Sequence, residues 1–160
     1  MKFRMVDRIL TWEPRRTISG IKAVAFEEYE LRERLGDEPC LPESLVMESL
    51  FQLGNWLVVL STDYAQMSLI VRWDEVRFLE RLRPGQRLHM DVVVRTWRDD
   101  GIVFDGSASD GHRVVATGSR FLAVPANLTD YHDPDDLRVL YSEIHVDEGP
   151  EPDETVPCPA

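Results

Sequence analysis

The chain has 160 residues, enough for one domain with its own core, and carries 29 acidic and 18 basic side chains. The surplus is uneven: residues 126–160 hold ten acids and one base, Arg138, whereas residues 1–125 hold nineteen acids and seventeen bases. A nearly neutral body with an acidic extension has no basic stripe to neutralise phosphates, which argues against nucleic acid as a partner.

The first residues, MKFRMVDRILTWEP, scatter charge where a signal peptide would carry an apolar stretch. No charge-free apolar run of about eighteen residues predicts a membrane span. Cys40 and Cys158 show no metal-ligand spacing. A reduced, cytoplasmic setting is the expectation.

Val6 to Trp12 alternates and predicts a strand. Glu13-Pro14-Arg15-Arg16 predicts a turn, and the β-branched run from Thr17 to Phe26 a second strand. Glu27 to Leu41 holds no sustained period and contains Gly36 and Pro39, as a loop does. It leads to Pro42, which suits the first turn of a helix, where its missing N–H costs nothing.

From Pro42 to Leu60 the sequence PESLVMESLFQLGNWLVVL is apolar around most of a helical circumference. Such a helix is expected to be buried. Ser44, Glu48, Gln52 and Asn55 nevertheless share one side, at spacings of four, four and three. A carboxylate on a buried helix is costly unless something pairs with it or uses it. Glu48 is therefore the residue to explain.

Four strand-like runs follow: Gln66 to Phe78, Arg87 to Trp97, Ile102 to Ser109 and His112 to Val124. Arg83-Pro84-Gly85-Gln86, Asp99-Asp100-Gly101 and Asp110-Gly111 separate them as turns. An α+β fold is expected, with an antiparallel sheet wrapped around the long central helix. One curved sheet does not cover a helix so apolar, which points to a dimer joined through sheet edges. The domain is expected over residues 1–125 and an acidic extension over 126–146, with Asp135 to Ile144 able to form a short helix. Residues 147–160, proline-rich and acidic, are expected to be disordered.

Three stretches carry a resemblance. VDRIL..EP…I.GIKAV (Val6 to Val24), P…LVMESLFQLG (Pro42 to Gly54) and VRF…RPGQRL.MDV (Val76 to Val92) together resemble the FabZ/FabA family of 3-hydroxyacyl-acyl-carrier-protein dehydratases. The resemblance implies a dimeric hot-dog fold and an acyl thioester carried on the phosphopantetheine of an acyl carrier protein or of coenzyme A. It implies neither resident cofactor nor metal, and a place in fatty acid or polyketide biosynthesis. It puts the acyl chain beside the central helix, with Glu48 as the catalytic acid. Gln52, Glu43, Ser44 and Leu41 are its implied neighbours on the substrate side. The family's catalytic loop His falls here on Arg34, and Glu43 stands where the family has Gly. Arginine does not deprotonate in proteins and cannot serve as the base. The expected site is thus a degenerate one, able to work as a dehydratase-like lyase through Glu48 and a base still to be found. The chain is expected to form a homodimer or a heterodimer with another hot-dog protein, and two alternatives stay open: a non-catalytic hot-dog subunit paired with an active partner, and a hot-dog thioesterase in which Glu48 activates water or attacks the thioester.

Overall fold

Seven strands of one antiparallel sheet curl around a 19-residue helix in the computed structural model, which describes residues 4–25 and 39–146. Arg34 and most of the loop around it, and the acidic tail from 147 onward, lie outside the described residues.

The first hairpin joins β1 (Arg8–Glu13) to β2 (Thr17–Ala23), with Arg15 at φ 58 in its turn and the Arg16 amide donating to the Glu13 carbonyl at 3.1 Å. The central helix α1 (Glu43–Ser61) follows, then β3 (Gln66–Arg72), β4 (Glu75–Phe78), β5 (Arg87–Arg98), β6 (Gly101–Ser109) and β7 (Val114–Asn127). A single 3-10 turn leads to a second helix, α2 (Pro134–Ile144). Strand order is β1-β2-β5-β6-β7-β3, with β4 also paired to β7. The hot-dog architecture expected from the sequence is what forms.

Two expectations about the strands change. The run from Gln66 to Phe78 is not one strand: it breaks at Trp73-Asp74. The cause lies across the ladder, where β3 pairs with β7 from Leu122 onward and β4 with β7 only up to Ser119. Between them Arg120 of β7 turns to φ 53, and Asp74 in the gap forms an ion pair with its guanidinium. The bulge bends the partner strand with it. The last strand also runs past Val124, through Pro125 to Asn127. By then β6 has ended, its pairing stopping at Ala123, so a residue without an N–H costs no ladder bond on that side.

Helix α1 starts one residue later than its proline. Pro42 is the extended residue just before it, and its carbonyl accepts from the amides of Leu45 at 2.9 Å and Val46 at 3.1 Å. At the other end the Thr62 hydroxyl donates to the Val58 carbonyl at 2.8 Å and accepts from the Gln66 amide at 3.1 Å. Asp63 and Tyr64, both at positive φ, then turn the chain into β3. Leu50, Leu53 and Leu57 are fully buried in the core, together with Phe104 and Phe121 of the sheet. Burying each leucine contributes roughly 1.5–3 kcal/mol. Gly54 lets the helix approach β6 closely, since a Cβ there would stand 2.7 Å from the Phe104 ring. By length and composition α1 could cross a membrane, but more than half of it is buried inside this fold.

The second helix closes one side of the curled sheet. Asp133 caps it, accepting from the Asp135 amide at 2.9 Å. Its Tyr141 hydroxyl accepts from Trp12 Nε1 at 3.0 Å, and its ring packs on Trp56 with centroids 6.1 Å apart. Beyond it His145 forms a parallel bridge with Ile9, the Val146 amide donating to the Ile9 carbonyl at 3.1 Å. The β1 edge is thereby met at Ile9. Among the described residues nothing covers the β3 edge, where Leu69, Val71 and Trp73 are exposed.

Candidate active site

The polar row on α1 opens into a cavity of about 500 Å³ between α1, β3 and α2. Glu48, Gln52 and Asn55 border it from the helix, and the rest of its wall is mainly apolar, with Phe51, Trp56 and Val59 from α1, Met67, Leu69 and Ile70 from β3, and Leu137, Leu140 and Ile144 from α2. A few polar groups set in an apolar cleft are the usual composition of a small-molecule site.

The geometry fixes Glu48. The Gln52 side chain donates through Nε2 to Glu48 Oε1 at 2.8 Å, and its own Oε1 accepts from the Met5 amide, also at 2.8 Å. A backbone N–H can only donate, so the amide oxygen of Gln52 must face Met5 and its NH₂ must face the carboxylate. Glu48 is therefore held by a group that is itself oriented from the N-terminal segment. The spacing of four on a helix makes the first contact possible, and the close approach of residue 5 makes the second. Asn55, one turn on, is used differently: its Oδ1 accepts from the Ser68 amide at 2.7 Å and ties α1 to β3.

Residues 1–119 match the model of the FabA-like domain. The chain belongs to the FabA-like family. A relative, the 3-hydroxyacyl-[acyl-carrier-protein] dehydratase FabZ of Oleidesulfovibrio alaskensis, is 31% identical over 128 residues, covering 74% of this chain and 83% of its own. Among solved structures, the fluoroacetyl-CoA thioesterase FlK superposes with a TM-score of 0.64 at 11% identity, covering 81% of this chain and 97% of the other. A hot-dog-like protein from Thermanaerovibrio acidaminovorans superposes at 0.60 with 21% identity, over 79% of this chain and 89% of the other. At those identities the structural likeness speaks for the fold alone.

Within this FabA-like frame the sequence-derived site residues separate. Glu48 and Gln52 come together on the cavity wall. Glu43 lies instead in a second, polar cleft of about 590 Å³, with Arg81, Arg83 and Arg113. Ser44 is exposed in the first turn of α1. Leu41 is buried in the core, its amide donating to the Leu82 carbonyl at 2.7 Å. Sequence reasoning had no signal for Met5, Ser68 or the α2 residues, all distant along the chain. His132 also borders the cavity. It precedes α2, which begins beside the C-terminal end of α1, where Arg138 sits 4.4 Å from the centroid of Tyr64. His132 therefore reaches the cavity from the end opposite Glu48. Burial at that same place raises the Tyr64 hydroxyl above its ordinary pKa, with the neighbouring Tyr141 adding to the effect.

Proposed function

We propose that this chain binds acyl thioesters in the α1–β3–α2 cavity and eliminates water from 3-hydroxyacyl thioesters borne on an acyl carrier protein or coenzyme A. The observation that carries the reading is the Met5–Gln52–Glu48 relay, which holds a carboxylate on the wall of a mainly apolar cleft. Family membership supplies the reaction class, since the FabZ relatives are named for it.

Elimination needs a base for the proton alpha to the thioester and an acid for the departing hydroxyl. With Arg34 at the place of the family's loop histidine, Glu48 takes both roles in turn. As a carboxylate it removes the α proton. The electron pair of that C–H bond forms the new double bond as the β C–O bond breaks. The protonated Glu48 then hands its proton to the leaving oxygen, which departs as water. Atoms and charge balance with no further group. Gln52 keeps one carboxylate oxygen in register through both steps. The functional unit of this reading is a dimer formed over the uncovered β3 edge.

The experiment is an assay of the purified chain on 3-hydroxyacyl-pantetheine thioesters, following the ultraviolet change of the enoyl product alongside free-thiol release. Enoyl formation is expected, and Glu48→Gln should lower it by about 10²–10⁴-fold. Glu48-dependent thiol release without enoyl product would replace this reading with a thioesterase. Neither product, with acyl thioester still bound, would replace it with a non-catalytic subunit.

A further inference from the structure

The match to the FabA-like domain ends at residue 119, but the cavity is completed by residues beyond it. Leu137, Leu140 and Ile144 lie at spacings of three and four, so one face of α2 supplies all three. The helix is firmly seated, through Trp12 and Trp56 on Tyr141, Arg138 on Tyr64 and the bridge to Ile9.

Its direction gives each residue a place. Arg138, near the start of α2, meets Tyr64 just past the end of α1, whereas His145 after its last turn reaches Ile9. The two helices thus run in opposite senses along the cavity. The α1 residues that border it run from Glu48 to Val59, a rise of roughly 16 Å at 1.5 Å per residue. A chain with its thioester at Glu48 would extend toward Val59, and the early turns of α2 stand at that far end.

Resting on the function proposed above, we propose that α2 is the element that sets acyl chain length, with Leu137 and Leu140 as the distal stop. The ligand class is a straight-chain acyl group, unsubstituted beyond its 3-position, on a pantetheine thioester. The walls at this end are aliphatic and aromatic apart from the exposed His132.

The test uses the full chain and a series of S-alkyl pantetheine thioethers, from butyl to hexadecyl, titrated by calorimetry. These probes can be neither hydrolysed nor dehydrated, so they read binding alone. Leu140→Ala is expected to move the tightest-binding chain to greater length, each newly accommodated methylene gaining about fourfold in affinity. Leu140→Trp is expected to move it to shorter chains. Opposite shifts from one position cannot come from loss of folding, which would weaken all probes alike. Val139→Ala, at a residue 61% exposed on α2, should leave the profile as in the wild type. If the wild type shows an optimum that neither Leu140 variant moves, α2 is a structural cover only and the inference is overturned while the acyl site stands. If the wild type binds no thioether of any length, the acyl site falls and this inference with it.

Discussion

Gln52 matters to the site as much as Glu48 does. Its side chain serves two partners that cannot serve each other: the Met5 amide and the Glu48 carboxylate. Gln52→Ala removes both bonds and leaves a part-buried N–H and a carboxylate oxygen to find water. The expected cost is about 1–2 kcal/mol of stability, read by denaturant unfolding, with a fall in kcat larger than any change in KM, since the carboxylate is lost from register rather than the acyl chain from its cleft. Gln52→Glu is the sharper variant, because it retains an acceptor for Met5 but sets a second carboxylate beside Glu48. Like charges at such range hold one proton more tightly, so the lower limb of its pH–rate profile should move to higher pH. The pair Glu48–Gln52 was legible in the sequence, because a spacing of four on a helix is a local fact. Met5 was not, since its approach depends on how the sheet curls. Leu41, which the family resemblance implies on the substrate side, is buried in the core.

The elements differ in how openly the sequence declares them. Helix α1 was plain, because an apolar circumference and an entry proline are both local. The break between β3 and β4 was hidden, because its cause is Arg120 at positive φ on another strand, and arginine announces no such conformation. The contact of α1 with β6 depends on a residue that sequence reading passed over. Gly54 stands where a methyl group would meet the buried Phe104 ring at 2.7 Å, and that ring is in turn packed on Phe121 at 5.5 Å. Alanine has the better intrinsic helix propensity by up to about 1 kcal/mol, so on an exposed helix Gly54→Ala would stabilise. Here overpacking of about 1–3 kcal/mol opposes it. Net destabilisation is expected in thermal or denaturant unfolding, and Gly54→Ala combined with Phe104→Leu should recover part of it. A stabilised single variant would mean that the ring moves aside freely, and that the fit of helix to sheet is looser than these distances indicate.

Over the whole molecule, the two edges of the sheet have opposite fates. Residues 145–146 pair with the β1 edge at Ile9, through a bridge from His145 and the Val146 amide. The β3 edge keeps Leu69, Val71 and Trp73 exposed, at 37%, 57% and 53% of their surfaces, with Arg72 as the one charged residue between Gln66 and Trp73. An uncovered apolar edge strand invites another strand, and a second copy offers an identical one, related by a two-fold axis that pairs β3 with β3 antiparallel. The cavity shares Leu69, Ile70 and Trp73 with that edge, so pairing there would shield the proposed acyl site from water as well as join the sheets. Light scattering on the eluting protein should therefore give twice the chain mass. Val71→Arg, which sets a charge on the edge without touching the cavity lining, should shift the protein toward the monomer and weaken binding of long-chain pantetheine thioethers more than short ones, because the outer wall would be lost. A wild-type monomer with undiminished acyl affinity would assign the exposed edge to some other partner and leave α1, β3 and α2 of one chain as the complete site.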